Sequence, residues 1–257
     1  MKFNNKNISI SEKAIIGKNV KIGDNTVIYD NVRIGDNSII CNDCIIGEPL
    51  NEYYHNDNYI NPDLIIGRGA LIRSHAIIYA GSNIGDNFVT GHRVMIRENT
   101  KIGRNCNVGN SADIQGFVSI GDYCRLYNNV IIAQMSELGD FVFMYAYSVI
   151  TNDPHPPSDK LQGASIGDYS QIAVNSVIVS GVKIGQNCLI GANSLVNKPV
   201  ADYSLVVSQP AKTLMDIRKF VVMGGKGRYY PWMYNYSKGM PWENIGYDKW
   251  IQQKNTI

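Results

Sequence analysis

The apolar positions of this chain recur with a period of six residues. A large aliphatic residue, most often isoleucine, begins each hexad, and a small residue follows four positions later. The aliphatic series runs over residues 10–46, resumes at 66–150 and returns at 166–196, and among its members only Thr90 is not apolar. A period of six fits neither the two-residue alternation of a half-buried strand nor the 3.6-residue turn of a helix. The pattern therefore predicts a chain that turns a corner every six residues.

Hexads of this kind are typical of a parallel β-helix. Three short strands make one coil of 18 residues, and the aliphatic residues of successive coils stack into a dry interior. Gly and Asn at the corners, such as Gly23 and Asn25, suit a backbone that must adopt positive φ. The sequence therefore predicts an all-β solenoid over residues 1–200, followed by a helical and irregular tail over 201–257.

Two polar excursions interrupt the repeat, at residues 48–64 and 152–165. The second contains three prolines around His155 and leaves the coil directly after Thr151. Proline restricts the conformations of a loop, and loops on a rigid scaffold often carry function. We therefore expect the second excursion to position reacting groups.

The tail is rich in aromatic residues. Residues 213–220 are predicted to form a short helix, and all three tryptophans of the chain follow them. We expect the aromatic tail to fold back on the solenoid or on a neighbouring subunit, where it would cover apolar surface.

The composition narrows the classes of function. The chain has 257 residues, a formal net charge of +2 and 44% hydrophobic residues, as in a soluble protein with a sizeable core. It has no basic run, which argues against nucleic acid as the main partner. The start, residues 1–5, lacks the apolar segment of a signal peptide, and no apolar run has membrane-spanning length. We expect a cytoplasmic protein without membrane insertion.

Four of the five cysteines occupy the small position of the hexad. They are Cys44, Cys106, Cys124 and Cys188. Because this position faces the interior, we expect buried thiols in place of Ser or Val, rather than disulfides or metal ligands.

Residues 18 positions apart are predicted to lie one above another, at the strand spacing of about 4.8 Å. We call such a vertical set a column. Two adjacent columns are polar, one formed by Glu98, Gly116, Gln134 and Asn152 and the other by Arg97, Gln115, Ala133 and Thr151. Ala173 and Gly191 stack in the last coils, where small side chains are expected to leave backbone N–H groups accessible to a long, thin cofactor.

The chain resembles the left-handed β-helix acyltransferases. Within them it is most similar to N-acetyltransferases of dTDP-linked 3-amino-3,6-dideoxyhexoses, which serve surface-polysaccharide synthesis. The resemblance covers nearly the whole chain, and the similar segments are 72–75, 90–99, 151–158, 230–232 and 239–243. The hexads are specific for the fold only, whereas the Asn-Asp-Pro loop and the Pro-Trp tail narrow the subgroup. The resemblance implies the left-handed winding, a homotrimer with active sites between subunits, and acetyl transfer from acetyl-CoA to a sugar amine.

The resemblance also implies catalytic roles. Asn152, at the base of the proline-rich loop, would hold the reacting amine or the thioester. One coil below it such enzymes often carry a carboxylate, but this chain has Gln134. Because an amine attacks a thioester readily, orientation of the two groups and a proton relay to the departing sulfur are expected to suffice. His155 is a further candidate, since an imidazole is a suitable general base near neutral pH.

The remaining candidates bind the two substrates. Arg97 is predicted to hold the diphosphate of the acceptor, because its forked guanidinium matches phosphate oxygens. Glu98 and Asp113 are predicted to accept hydrogen bonds from thymine or sugar hydroxyls, and His92 to bind the nucleotide or line the subunit interface. Acetyl-CoA would contact Ala173, Gly191, Asn193, Lys198, Pro210, Ala211 and Lys212. No metal is expected.

Three alternatives remain open. A hexapeptide acyltransferase acting on a UDP-amino sugar or another small amine would use the same coenzyme groove. A zinc carbonic anhydrase on this solenoid needs three His ligands, two of them close in sequence, and His75, His92 and His155 offer no close pair. A non-catalytic scaffold, the third alternative, would bind coenzyme A weakly.

Overall fold

The computed structural model describes residues 3–220 and 230–254. Residues 221–229 and 255–257 of the predicted tail, and residues 1–2, lie outside them. The described chain forms a three-sided solenoid of parallel sheets with ten, nine and eleven strands. We name these faces sheet A, sheet B and sheet C in the order in which the chain visits them.

The strands are two residues long in most coils. Sheet A contains Ser9–Ile10, Val27–Ile28, Ile45–Glu48, Ile77–Tyr79, Met95–Ile96, Asp113–Ile114, Ile131–Ile132, Val149–Ile150, Val177–Ile178 and Leu195–Val196. Sheet B contains Ile15–Ile16, Val32–Ile34, Leu64–Ile66, Asn83–Ile84, Lys101–Ile102, Ser119–Ile120, Glu137–Leu138, Ser165–Ile166 and Lys183–Ile184. Sheet C contains Lys21–Ile22, Ile39–Ile40, Leu71–Ile72, Val89–Thr90, Asn107–Val108, Arg125–Leu126, Phe143–Met144, Gln171–Ile172, Leu189–Ile190, Ser204–Val207 and Lys212–Asp216.

The helical elements are few and short within the described residues. Three 3-10 turns span Asn51–Tyr54, Ile217–Lys219 and Trp232–Tyr234, and one α-helix spans Tyr247–Lys254. No helix in this part of the chain has both the length and the apolar character needed to cross a membrane.

The coil has the predicted length of 18 residues. Ile96 pairs with Ile114, Ile114 with Ile132, and Ile132 with Ile150. Across the second excursion Ile150 pairs with Ile178, so the loop is extruded and the next coil resumes the same register. Vertical alignment of the columns is therefore preserved on both sides of the loop.

Both inward positions of the hexad are buried. The aliphatic position is represented by Ile132 and the small position by Ser136, each with 0% of its surface exposed. Thr90, the polar exception in the aliphatic series, is also buried, and its hydroxyl accepts a hydrogen bond from the N–H of Arg73. The interior thus tolerates a polar atom where a backbone group of the next corner satisfies it.

The cysteines are buried thiols, as predicted. All five are free, and the Sγ atoms of Cys106, Cys124 and Cys188 each donate to a carbonyl oxygen of the next coil at 3.1 Å. The hydroxyl of Ser170 makes the equivalent bond at 2.7 Å, so cysteine and serine are interchangeable at this position. Burial raises the pKa of Cys44 to about 11, which keeps this thiol protonated near neutral pH.

One corner carries aromatic side chains where other corners carry Asn. Tyr123, Phe141 and Tyr169 all have φ near +60° and stack on one another, with ring centroids 5.2 and 4.8 Å apart. The tail packs against this stack through Trp232 and Trp242, both almost fully buried. Of the two expected positions for the tail, packing on its own solenoid is therefore confirmed.

The predicted helix over residues 213–220 is wrong. The segment forms the strand Lys212–Asp216, followed by the 3-10 turn Ile217–Lys219. This strand pairs antiparallel with Ser204–Val207, which itself extends sheet C by pairing with Leu189–Ile190. The last coil would otherwise leave an edge with unpaired backbone groups, and the returning chain satisfies them.

Candidate functional site

A cleft of about 440 Å³ lies at the corner where the chain passes from sheet A to sheet B, which we call the A-to-B corner. It is lined by Met95, Arg97, Asp113, Gln115, Gln134, Asn152, Asp153 and Leu161. Four of these residues are predicted site residues, contributed by three strand ends and the second excursion. The structure therefore brings together Arg97, Asp113, Gln134 and Asn152.

Backbone pairing positions the polar columns of the cleft. The N–H of Arg97 donates to the carbonyl of Ile114 at 2.8 Å, and the N–H of Gln115 donates to that of Ile132 at 2.9 Å. Because each coil repeats this bond, Gln134 lies one coil from Asn152, with both side chains on the cleft. The cleft thus presents these two stacked neutral amides beside that of Gln115, and all three can donate and accept hydrogen bonds.

Asp113 is one of the two carboxylates that line this cleft. It lies on the outer face of sheet A, with the apolar residues Met95 and Ile131 beside it on the neighbouring coils. Its Oδ2 accepts a long hydrogen bond from Nε2 of Gln115 at 3.4 Å. Its Oδ1 is buried and has no hydrogen-bond partner among the described residues. An unsatisfied buried acceptor costs about 1–3 kcal/mol, so this oxygen favours a ligand that donates to it.

Arg97 and Glu98 form an internal ion pair. Nε and Nη2 of Arg97 donate to the two carboxylate oxygens of Glu98 at 2.9 and 3.0 Å, and the guanidinium lies 5.2 Å from the ring centroid of Tyr79. Glu98 is 8% exposed, and both of its oxygens are used by this pair. The expectation that Arg97 presents a free fork to phosphate therefore needs correction, because only Nη1 lies outside the pair.

The proline-rich loop is organised by Asp153 rather than by its histidine. The carboxylate of Asp153 accepts hydrogen bonds from the N–H groups of His155 and Ser158, both at 3.0 Å, and from the Ser158 hydroxyl at 2.8 Å. Burial acts to raise the pKa of Asp153, but these hydrogen bonds prevail and hold it below its ordinary value. His155 is exposed and does not line the cleft, in contrast to the expectation of a catalytic position.

Two residues of the cleft, Gln115 and Asp153, are not among the site residues predicted from the sequence. The signal for Gln115 was present, since it lies one coil from Arg97 in the same column. Asp153 directly follows Asn152, but sequence alone did not show that its carboxylate would bind the loop backbone.

A second group of predicted residues lies along the opposite edge of sheet A, where the chain passes from sheet C to sheet A. We call this the C-to-A corner. His92 is exposed there, and Ala173 and Gly191 stack on successive coils of the same corner. The N–H of Ala173 donates to the carbonyl of Ile190, and that of Gly191 to the carbonyl of Val206. The expectation that these N–H groups are accessible is wrong, because pairing between coils uses them.

Asn193 and the segment after the last coil also meet at this corner. Nε2 of Gln209 donates to the carbonyl of Asn193 at 2.6 Å, and the N–H of Ala211 donates to that of Leu195 at 2.9 Å. Pro210 is exposed beside them.

Two basic candidates lie elsewhere. Lys212 begins the strand Lys212–Asp216 and is exposed. Lys198 follows the last strand of sheet A and is therefore at the A-to-B corner. Within one chain, Asn193 and Lys198 border opposite edges of sheet A and do not form one phosphate site. Among the described residues, no group of three His, Cys, Asp or Glu side chains is arranged to hold a metal ion.

Comparison with known proteins identifies the repeat. Residues 13–48, 81–114 and 163–198 match the family model of the bacterial transferase hexapeptide (six repeats). Residues 99–134 match the hexapeptide repeat of succinyl-transferase. These matches support a place for the chain among the hexapeptide-repeat transferases.

Similarity to curated proteins is confined to short segments. The bifunctional protein GlmU of Prochlorococcus marinus is 48% identical over 44 residues, which make up 17% of this chain and 10% of that protein. The bifunctional protein GlmU of Synechococcus elongatus is 43% identical over 49 residues, 19% of this chain and 11% of that protein. The chain thus spans about a tenth of the length of these relatives.

Similarity to a solved structure is more extensive. The Arabidopsis UDP-N-acetylglucosamine acyltransferase superposes with a TM-score of 0.58 at 16% identity, covering 82% of this chain and 73% of that chain. The likeness concerns the fold, and it confirms the left-handed parallel β-helix that was expected.

We predict that Asp153→Ala loosens the proline-rich loop without unfolding the solenoid. Limited proteolysis should then cut faster within residues 154–161, whereas Asp159→Ala, which removes an exposed carboxylate of the same loop, should not change the rate. The pKa of Asp153 is lower in the folded protein than in the unfolded chain. Its contribution to the stability of the loop is therefore fully present above about pH 4 and is lost as the pH falls through the folded-state pKa. Equal cleavage rates in both variants would contradict the role of Asp153.

Proposed function

We propose that this hexapeptide-repeat protein is an acetyl-CoA-dependent N-acetyltransferase. Its acceptor would be the 3-amino group of a dTDP-linked 3-amino-3,6-dideoxyhexose used in surface-polysaccharide synthesis. The observation that carries the proposal is the cleft at the A-to-B corner, where a buried carboxylate oxygen with no partner in the described part of the chain lies beside two stacked amides. The choice of a dTDP-sugar is supported by the sequence resemblance over residues 90–99, 151–158 and 239–243.

The cleft suits an acceptor group that donates a hydrogen bond better than it suits an anion. Oδ1 of Asp113 lacks a donor, and an amine or ammonium group supplies one. The Arg97–Glu98 ion pair is internally neutralised, so the cleft offers little net positive charge to an anionic acceptor group. Asn152 and Gln134 would orient the amine and the thioester, which is the main requirement when the nucleophile is already reactive.

The proposed reaction needs no covalent enzyme intermediate. The lone pair of the neutral amine attacks the thioester carbonyl, a C–N bond forms, and the C–S bond breaks with its electron pair leaving on sulfur. One proton passes from the nitrogen to the departing thiolate or to water. Asp113 would hold the amine, and an amide N–H from Asn152 would stabilise the oxygen on which negative charge develops.

The coenzyme would lie along a C-to-A corner, beside Ala173, Gly191, Asn193 and residues 208–211. A single chain places this edge and the acceptor cleft on opposite sides of sheet A. In the proposed homotrimer, the acceptor cleft of one subunit would face the coenzyme edge of its neighbour. Lys198, at the A-to-B corner, would then approach the coenzyme phosphates of the adjacent subunit.

A UDP-linked amino sugar or another small amine is the second candidate acceptor. The fold relative from Arabidopsis is a UDP-N-acetylglucosamine acyltransferase, which favours a UDP-linked acceptor. The same cleft would serve either nucleotide sugar, because the proposed amine contacts do not involve the base.

The deciding experiment is a thiol-release assay with acetyl-CoA against a panel of dTDP- and UDP-linked amino sugars. The proposal expects release with a dTDP-linked 3-amino sugar and none with the corresponding 3-hydroxy sugar. Release with UDP-linked amines alone would select the second candidate. Absence of release with every amine would leave a binding scaffold as the better description.

Asp113→Asn should raise KM for the amine acceptor about ten- to a hundredfold, because a hydrogen bond to a charged group contributes roughly 1.5–3 kcal/mol. KM for acetyl-CoA should change little. Asp159→Asn, in the exposed part of the loop, is the matched control for loss of one negative charge. An unchanged acceptor KM in Asp113→Asn would remove this residue from the acceptor site.

Asn152→Ala should lower kcat by roughly a hundredfold or more, the size of effect seen when an oxyanion donor is removed, with little change in coenzyme affinity. His155→Asn should keep most of the activity, because His155 is exposed and lies outside the cleft. Steady-state kinetics and coenzyme titration measure both effects. Full turnover in Asn152→Ala, or a loss of about a thousandfold in His155→Asn, a size typical of a general base, would reverse these assignments.

A further inference from the structure

A pair of stacked tyrosines lies on the C-to-A corner. The rings of Tyr127 and Tyr145 have centroids 4.7 Å apart and planes 8° apart. The centroid separation matches the spacing of successive coils, about 4.8 Å, so each coil contributes one ring to the stack. The side chain of Tyr127 is 40% exposed.

The stack ends at Tyr127 because the next two coils carry glycine in this column. Gly109 and Gly91 lie one and two coils beyond Tyr127, and together they leave a notch of about 190 Å³ next to the tyrosine ring. A Cβ atom at Gly109 would lie 2.5 Å from the carbonyl carbon of Tyr127, so this position cannot carry a side chain without moving the backbone. The chain therefore cannot fill the notch with a third ring of its own.

Arg125 lines the same notch and holds an unused donor. Its Nη2 donates to the carbonyl of Lys238 at 3.0 Å and that of Gly239 at 3.4 Å, and its guanidinium lies 5.8 Å from the ring centroid of Phe143. These contacts with the tail fix the side chain in place. Its Nε is buried and has no partner within the described residues. A buried charged donor without an acceptor favours a ligand that supplies one.

We propose that this notch binds a nucleobase, which continues the aromatic stack beneath Tyr127 and accepts a hydrogen bond from Nε of Arg125. A planar heterocycle fits because it offers a π-face to Tyr127 and ring nitrogens or carbonyl oxygens to Arg125. The glycine backbones of residues 91 and 109 give it room at the next position of the stack. Stacking on an exposed aromatic ring is the common way in which proteins bind single bases.

The choice of a nucleotide as ligand rests on the proposed function, in which both substrates carry a base. The notch lies in the column of Ala173 and Gly191, three coils from Ala173. The adenine of the coenzyme reaches it only if the coenzyme extends further along this column than the proposed contacts at Asn193 and residues 208–211. The thymine of a dTDP-sugar offers the same chemistry. The two sources are separated by experiment.

The test is calorimetric binding of dTDP, coenzyme A and pantetheine to the full chain and three variants. Tyr127→Ala should weaken binding of the nucleotide whose base fills the notch by about tenfold or more, as expected from roughly 1–3 kcal/mol per stacked base. Tyr127→Phe keeps the ring and should restore binding. Tyr147→Asn removes another exposed tyrosine at the same corner, in the turn that carries Tyr145 and at a positive-φ position that Asn tolerates, and should have no effect.

The pattern of losses identifies the base. Weaker binding of coenzyme A with unchanged binding of pantetheine would assign the notch to adenine, and weaker binding of dTDP alone would assign it to thymine. Unchanged affinity for all three probes in Tyr127→Ala would overturn the proposal. A change of oligomeric state in this variant without a change in nucleotide affinity would also overturn it, because it would make the notch a contact between chains.

The thiol-release assay keeps this inference separate from the proposed function. Release from acetyl-CoA that is equally fast in wild type and Tyr127→Ala, at subsaturating levels of both substrates, would reject the nucleobase site and leave the acyltransferase standing. If Tyr127→Ala weakened nucleotide binding in a protein that acetylates none of the amines, the nucleobase site would stand and the proposed acyltransferase function would be rejected.

Discussion

Backbone hydrogen bonds between successive coils are the interaction on which the rest of this structure depends. Most corner N–H groups that follow a strand donate to a carbonyl of the next coil, from Gly17 near one end to Gly191 near the other. This pairing fixes the 18-residue register and so aligns side chains into columns. It also occupies the N–H groups that a coenzyme would otherwise bind, as at Ala173 and Gly191. Ligand contacts must therefore come from side chains, carbonyl oxygens and loops.

Functional differences between corners arise from small departures within this regular frame. Where the chain passes from sheet B to sheet C, the corner carries the aromatic rings of Tyr123, Phe141 and Tyr169, and the tail packs against them. The C-to-A corner carries the Tyr127–Tyr145 stack and the notch beside it. The A-to-B corner is polar and extrudes the proline-rich loop. The same backbone geometry thus supports a packing surface, a flat ring surface and a polar cleft on three edges.

The electrostatics of the cleft follow from which charges are already paired. Arg97 and Glu98 satisfy each other, so neither is a strong free charge towards a ligand. Asp153 is bound by its own loop, where it orders the backbone next to Asn152. Asp113 alone among these acidic residues keeps a buried oxygen without a partner. This distribution favours a ligand that donates a hydrogen bond, as the amine acceptor that we propose does.

The sequence by itself determined the solenoid, the coil length, the buried cysteines and the alignment of Gln134 with Asn152, because a period of six leaves one way to bury the aliphatic series. Only the tertiary structure decided that residues 212–216 form a strand, since an open sheet edge outweighs local helical preference. It also decided that Arg97 pairs with Glu98, that Asp153 rather than His155 faces the cleft, and that Tyr127 borders a notch. Such outcomes depend on side-chain directions and unpaired donors, which periodicity does not encode.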